Sequence, residues 1–345
     1  MLVHFKKKNG IRLKRQLLFW LLIGSAFYGT LCAQTKSFPT FYASDEKLTQ
    51  PEIFVPGIIS TGDDEAHVAF GEQGKILYYI KNSPNFNHWT VVVSKFKNES
   101  WQTPEVAWFS GRYSDADVSF SPDGETMFFI SNRPIKENDP PRTNTDIWKM
   151  HKTPMGWSEP QHISILSSPG NEWFPIAASD GTLYFGSERR KDNSGIKGTS
   201  DLYRSEWVNG HYTEPVNLGK TINTSGQDIE AYISPDESFM IIVSNGREVN
   251  FGSYDLYISY QTSTKWTEPK NLGDKINSSS WDFGPKISPD GKYLFFTSNR
   301  SASRQVPRQR LTYQGLLHRI RSPKNGLRDI YQVDISQITL PSPSH

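Results

Sequence analysis

Five short apolar runs stand out along the chain: Ile76–Ile80, Met127–Ile130, Leu183–Phe185, Met240–Val243 and Tyr293–Phe296. They scarcely alternate with polar residues, which is the pattern of strands covered on both faces by neighbouring sheets. A turn precedes each run. Four turns read Phe120-Ser121-Pro122-Asp123-Gly124, Ala178-Ser179-Asp180-Gly181, Ile233-Ser234-Pro235-Asp236-Glu237 and Ile287-Ser288-Pro289-Asp290-Gly291, and Phe70-Gly71-Glu72-Gln73-Gly74 is a degenerate fifth. Pro fixes φ, Asp bonds its own backbone and Gly accepts positive φ, so each predicts a hairpin turn. The last residues of the turns are 50, 57, 56 and 54 positions apart, slightly longer than the roughly 40–50 of propeller blades.

Two further signals recur in register. A third strand opens on Asp-x-aromatic at Asp146-Ile147-Trp148, Asp201-Leu202-Tyr203, Asp255-Leu256-Tyr257 and Asp329-Ile330-Tyr331, with His88-Trp89-Thr90-Val91 in its place in the first unit. A fourth is entered by aromatic-x-x-Pro at Trp101–Pro104, Trp157–Pro160, Tyr212–Pro215 and Trp266–Pro269. The last unit has no such strand after Tyr331, but Leu48-Thr49-Gln50-Pro51 stands ahead of the first. The expected fold is therefore all-β: a five-bladed β-propeller of four-stranded antiparallel blades over residues 48–335, closed by Pro51–Ile59 as the outer strand of the last blade. Closure removes the sheet edges that an open array exposes.

Ser-Pro-Asp-Gly, an apolar strand, then Ser131-Asn132-Arg133 or Ser298-Asn299-Arg300 resembles the TolB-type, WD40-like propeller repeat. The resemblance implies a periplasmic or envelope propeller in contact with protein or cell wall, without naming a partner. The peptidoglycan-binding and hydrolase domains of larger relatives have no counterpart here.

The first 33 residues differ in kind. Lys6, Lys7, Lys8, Arg12, Lys14 and Arg15 precede the apolar stretch Leu17–Ile23 and then small residues, the order of a secretory signal peptide. Cleavage is expected after Ala33, leaving a linker at 34–47 and, beyond the propeller, a tail at 336–345. An uncleaved anchor is the alternative, but Leu17–Ala33 falls short of the roughly 20 apolar residues that span a bilayer. Export to the periplasm or cell surface follows. The formal charge of +2 counts the six leader cations; without them 32 Lys and Arg face 36 Asp and Glu. Nothing in that balance recommends nucleic acid. The single cysteine, Cys32, leaves with the leader or, if lipidated, tethers the chain to a membrane.

Nine residues before each turn's last residue stands an acid: Glu65, Asp115, Glu172, Asp228 and Asp282. These are expected to ring one mouth of the channel, where the returning strands bring Asn132 and Arg133, Arg189 and Arg190, Asn245 and Arg247, and Asn299 and Arg300. Pairing with Arg or capping of local amides gives them a structural role. A site for a cation or polar ligand is the other reading, resting on the first unit. There Asp63, Asp64, Glu65 and His67 cluster, and the return strand offers Asn82 and Ser83 with no Arg. Such a corner would suit an oxygen-preferring cation, although no EF-hand spacing is present, and neither metal nor cofactor is assigned.

Between the second and third strands of the last unit the chain runs on from Ser301 to Leu327, carrying Arg304, Arg308, Arg310, Arg319, Arg321 and Lys324 with no acid. A segment this long implies a use. An acidic protein surface, a phosphate-bearing lipid or an acidic glycan would match it; a solvated insertion is the bland alternative. No histidine falls in a ligand-spaced motif and no G-x-S-x-G elbow occurs. The sequence thus points to an envelope protein-binding or scaffolding module. The alternative is a carbohydrate-binding or glycoside-cleaving propeller, for which a pair of mouth carboxylates would suffice.

Overall fold

The computed structural model describes residues 47–338 apart from 84–86, 190–197, 264 and 303–309. The expected leader with Cys32, the linker up to residue 46, the tail from residue 339, Arg190, Arg304 and Arg308 lie outside the described residues.

The expected ring is present. Blade 1 runs Asp64–Gly71, Ile76–Asn82, Trp89–Lys97 and Glu105–Val106 from axis to rim. Blades 2, 3 and 4 repeat it from inner strands Asp115–Phe120, Glu172–Ala177 and Asp228–Ile233 to outer strands Gln161–His162, Val216–Asn217 and Lys270–Asn271. All strands within a blade pair antiparallel. In blade 5, Asp282–Ile287, Tyr293–Ser298 and Asp329–Asp334 are completed by Glu52–Ile53 from the N-terminal side, with Glu52 opposite Gln332 and Ile53 opposite Tyr331. Phe54 then lies fully buried between the first and last blades, edge-on to Trp101 at 5.9 Å and to Phe295 at 5.1 Å. Burying one such side chain stabilises by about 1.5–3 kcal/mol.

The aromatic-x-x-Pro signal marks a corner. Its aromatic ends a small hairpin against the tip of the third strand, as Trp101 does opposite Phe96, and the outermost strand follows the Pro. Pro lacks the N–H that a ladder needs, so it separates the two.

Neighbouring blades are stitched at one mouth. The N–H groups of Glu172, Asp228 and Asp282 donate to the carbonyls of Thr145, Ser200 and Tyr254 in the preceding blade. Closure repeats this bond: Glu65 N donates to Arg328 O at 3.0 Å, and the Arg328 guanidinium grips the Asp64 carboxylate.

Four inner strands carry a bulge two residues beyond the ring acid, where His67, Asp117, Phe174 and Gly284 take φ of +51°, +54°, +46° and +64°. Blade 4 is irregular between Asp228 and Glu230. Positive φ in non-glycine residues costs of order 1–3 kcal/mol and clusters at functional sites, and a bulge re-aims the side chain it carries.

Candidate functional site

The five acids do not line the channel. Each is fully buried, turned into its own blade. Asp115, Glu172, Asp228 and Asp282 face Arg133, Arg189, Arg247 and Arg300 at 2.7, 3.7, 3.6 and 2.5 Å. The guanidiniums lie over the aromatics of the Asp-x-aromatic motif, at 5.4 Å from Trp148, 5.0 Å from Tyr203, 5.4 Å from Tyr257 and 5.0 Å from Tyr331. They also donate outward to the carbonyls of Phe109, Leu166, Ile222 and Ile276. The acids in turn accept from the loop four residues earlier, as Asp228 does from Thr224 N at 2.6 Å and Asp282 from Ser278 N at 2.6 Å. Three sequence signals thus interlock into one buried clamp in each of blades 2 to 5. Burial raises the pKa of Asp115 and Asp228 and pushes Glu172 up to about 7, against the lowering effect of their hydrogen bonds and Arg partners.

The first blade corrects the expectation of an unneutralised corner. Lys81 stands where the other blades have the strand-end Ser, and its Nζ contacts Glu65 at 2.8 Å and Asp63 at 2.7 Å. Asp64 is taken by Arg328. No group of three or more His, Cys, Asp or Glu suited to a metal occurs among the described residues.

What faces the axis is the bulge position, and there the repeats disagree: His67, Asp117, Phe174, Glu230 and Gly284. His67 Nδ1 is 2.7 Å from Asp117 Oδ1, and Nε2 is 3.0 Å from Glu230 Oε1. The second oxygens are also taken, Asp117 Oδ2 by Phe174 N at 3.0 Å and Glu230 Oε2 by Gly284 N at 2.7 Å. The His67 ring packs against Phe174 and Phe283. Gly284 is required there, since a Cβ would fall 2.5 Å from His67 Cδ2. Residues from all five blades therefore meet in one plug. Burial disfavours the imidazolium, but the two carboxylates outweigh it and push the His67 pKa up to about 10. Lys286, also buried, holds its Nζ 4.4 Å from the centre of the Phe174 ring, and burial pulls its pKa down to about 7 against Asp117 and Glu230.

Above the plug, at the mouth where the inner strands begin, is a recess of about 300 Å³. Its floor is His67, Asp117 and Glu230, and its walls include Trp89, Trp173, Tyr254 and Trp281 with Asn82, Glu188 and Gln227. Of these the sequence singled out His67 and, on the return strand of the same corner, Asn82. The signal for the rest lies in the positions where aligned repeats differ rather than agree. Asn82 itself occupies the place of Asn132, Asn245 and Asn299, whose Oδ1 atoms accept from the N–H of Ser114, Gln227 and Trp281. Asn82 makes no such bond, and its amide N and O are buried without a partner among the described residues.

The basic insertion forms a helix, α1 (Tyr313–Ile320), capped by Thr312 Oγ1 accepting from Gly315 N. Arg310, Arg319, Arg321 and Lys324 are exposed, as are Tyr313, Leu316 and Ile320. Asn325 Nδ2 ties the segment to the Gly62 and Ile320 carbonyls, so it stands at the same mouth as the ring.

No protein-family model matches the sequence, and no curated protein does. Among solved structures, a TolB-type protein of Agrobacterium tumefaciens is 14% identical over 79% of this chain and 91% of its own, with a TM-score of 0.45. An α-L-arabinofuranosidase of Lactobacillus brevis is 12% identical over 84% and 98%, with a TM-score of 0.45. Another from Podospora anserina, solved with cellotriose, is 12% identical over 84% and 94%, at 0.43. Likenesses of this order do not bear on family or activity.

Proposed function

We propose that this chain is an exported, TolB-like propeller that binds a protein or cell-wall partner in the cell envelope through the mouth bearing the recess and α1, without turning it over. The carrying observation is that the carboxylates of the ring and of the recess floor are committed. The ring acids have no exposed surface, and all four oxygens of Asp117 and Glu230 have intramolecular partners. A glycosidase needs two carboxylates free to reach the substrate, and here every oxygen of Asp117 and Glu230 is already engaged within the plug. The basic, apolar, small-residue order of the first 33 residues supports export. Exposed Arg310, Arg319 and Arg321 beside bare Leu316 and Ile320 give α1 the surface for an acidic partner.

Crosslinking in intact cells, followed by purification, tests this. The reading expects a defined envelope component on the wild-type chain, reduced at high salt because exposed charges are screened beyond about 8–10 Å, and reduced in a variant with Arg310, Arg319 and Arg321 replaced by Ser. Recovery of the chain in the cytosol with residues 1–33 attached contradicts it.

A further inference from the structure

We propose that the axial recess is a binding site for a single neutral sugar ring, or two, with Asn82 reading its hydroxyls. This rests on the reading of the mouth as the binding face and names a ligand for it.

Three observations converge. The floor offers no free charge: His67 sits between two carboxylates whose four oxygens are all taken, with Lys286 against the same plug. A ligand ion would gain little there and would lose its hydration. The walls are flat aromatic faces set in two edge-to-face pairs, Trp89 with Trp173 at 5.8 Å and Tyr254 with Trp281 at 5.6 Å. Such faces suit a ligand that is apolar on its faces and polar around its edge, as a pyranose is. At about 300 Å³ the recess is at the small end of ligand sites, which run roughly 300–1,000 Å³.

The third observation is Asn82. In blades 2, 4 and 5 the equivalent Asn closes the strand end by accepting a backbone N–H. In blade 1 the amide is released from that duty, lines the recess, and has neither its donor nor its acceptor satisfied among the described residues. A buried unsatisfied amide requires an explanation. Neighbouring ring hydroxyls, each a donor and an acceptor, complete it, and the soft terminal torsion of Asn lets the amide turn to meet them. Glu188, whose Oε2 accepts from Asn171 Nδ2 at 2.9 Å, adds a second acceptor at the wall. None of these positions is aromatic in every blade, Trp89 and Tyr254 aligning with Thr145, Ser200 and Arg328 and Trp173 with Ala66, Ala116 and Ile229, so the clamps do not require aromatics there.

The test is titration of the leaderless protein by calorimetry and indole fluorescence with methyl glycosides of glucose, galactose, mannose, xylose and N-acetylglucosamine. Tetramethylammonium and N-acetyltryptophanamide serve as cationic and apolar rivals. At least one glycoside is expected to saturate at one per chain. Asn82→Ala should weaken it tenfold or more with the thermal midpoint unchanged, since that amide has no partner among the described residues, and Trp281→Ala should weaken it similarly. Silence of every glycoside, equal binding by Asn82→Ala, or saturation by a rival alone overturns the inference. Envelope capture persisting while every glycoside is silent overturns this inference alone. Glycoside binding without capture overturns only the partner-contact reading.

Discussion

His67 Nε2 and Glu230 Oε1, 163 positions apart in sequence, lie 3.0 Å from each other across the propeller axis. With Asp117 on the other ring nitrogen, one imidazolium ties blades 1, 2 and 4. Removing one partner of a buried charged set costs about 3–5 kcal/mol, because the remaining charges stay buried unpaired. His67→Gln should lose about that much near pH 6. The folded pKa of about 10 lies above the ordinary value of 6.5, so the stabilisation is full below the unfolded pKa and is lost as pH rises through the folded one. The gap between wild type and His67→Gln in urea unfolding should therefore narrow steadily from about pH 6.5 to 10.

Lys286 has the opposite sign. Burial pulls its pKa from 10.5 to about 7, so the folded state holds a disfavoured ammonium below pH 7 and is relieved as pH rises toward 10.5. Lys286→Met should raise the unfolding midpoint at pH 6. That gain should fade toward pH 10.

The clamps predict a stability phenotype for the ring. Asp115→Ala strands Arg133, which is buried and donates to Asp115 and Phe109 O. A loss of about 3–5 kcal/mol in denaturant unfolding is expected. Arg319→Ser and Arg321→Ser, on exposed side chains, should stay within about 0.5 kcal/mol.

Closure predicts a loss confined to one region. A chain beginning at residue 61 lacks Glu52–Ile53 and Phe54, uncovering the strand Asp329–Asp334 and the contact with Trp101 and Phe295. Hydrogen exchange should then show early opening of Asp329–Asp334 with blade 3 protected.

The fold was legible because blade-forming residues repeat. The turns and the acids state one pattern five times and Asp-x-aromatic states it four times, and the closing strand followed from a missing fourth strand at one end and a spare one at the other. The site was less legible for the same reason. Searching for agreement found Glu65, Asp115, Glu172, Asp228 and Asp282, which are clamps, whereas Asp117, Glu230 and Asn82 matter where they differ from their counterparts. The cations of the first blade were hidden because Lys81 replaces a Ser rather than an Arg, and Arg328 comes from the far end of the chain. The α1 helix was obscured by a segment read for its charge alone.

The claim that this propeller binds without cleaving is tested most directly by incubating the protein lacking residues 1–33 with an oligosaccharide panel and weighing the sugars by mass spectrometry. The account predicts that every oligosaccharide keeps its mass. Release of shortened sugars, abolished by Glu230→Gln or Asp117→Asn in a variant that still folds, would contradict it.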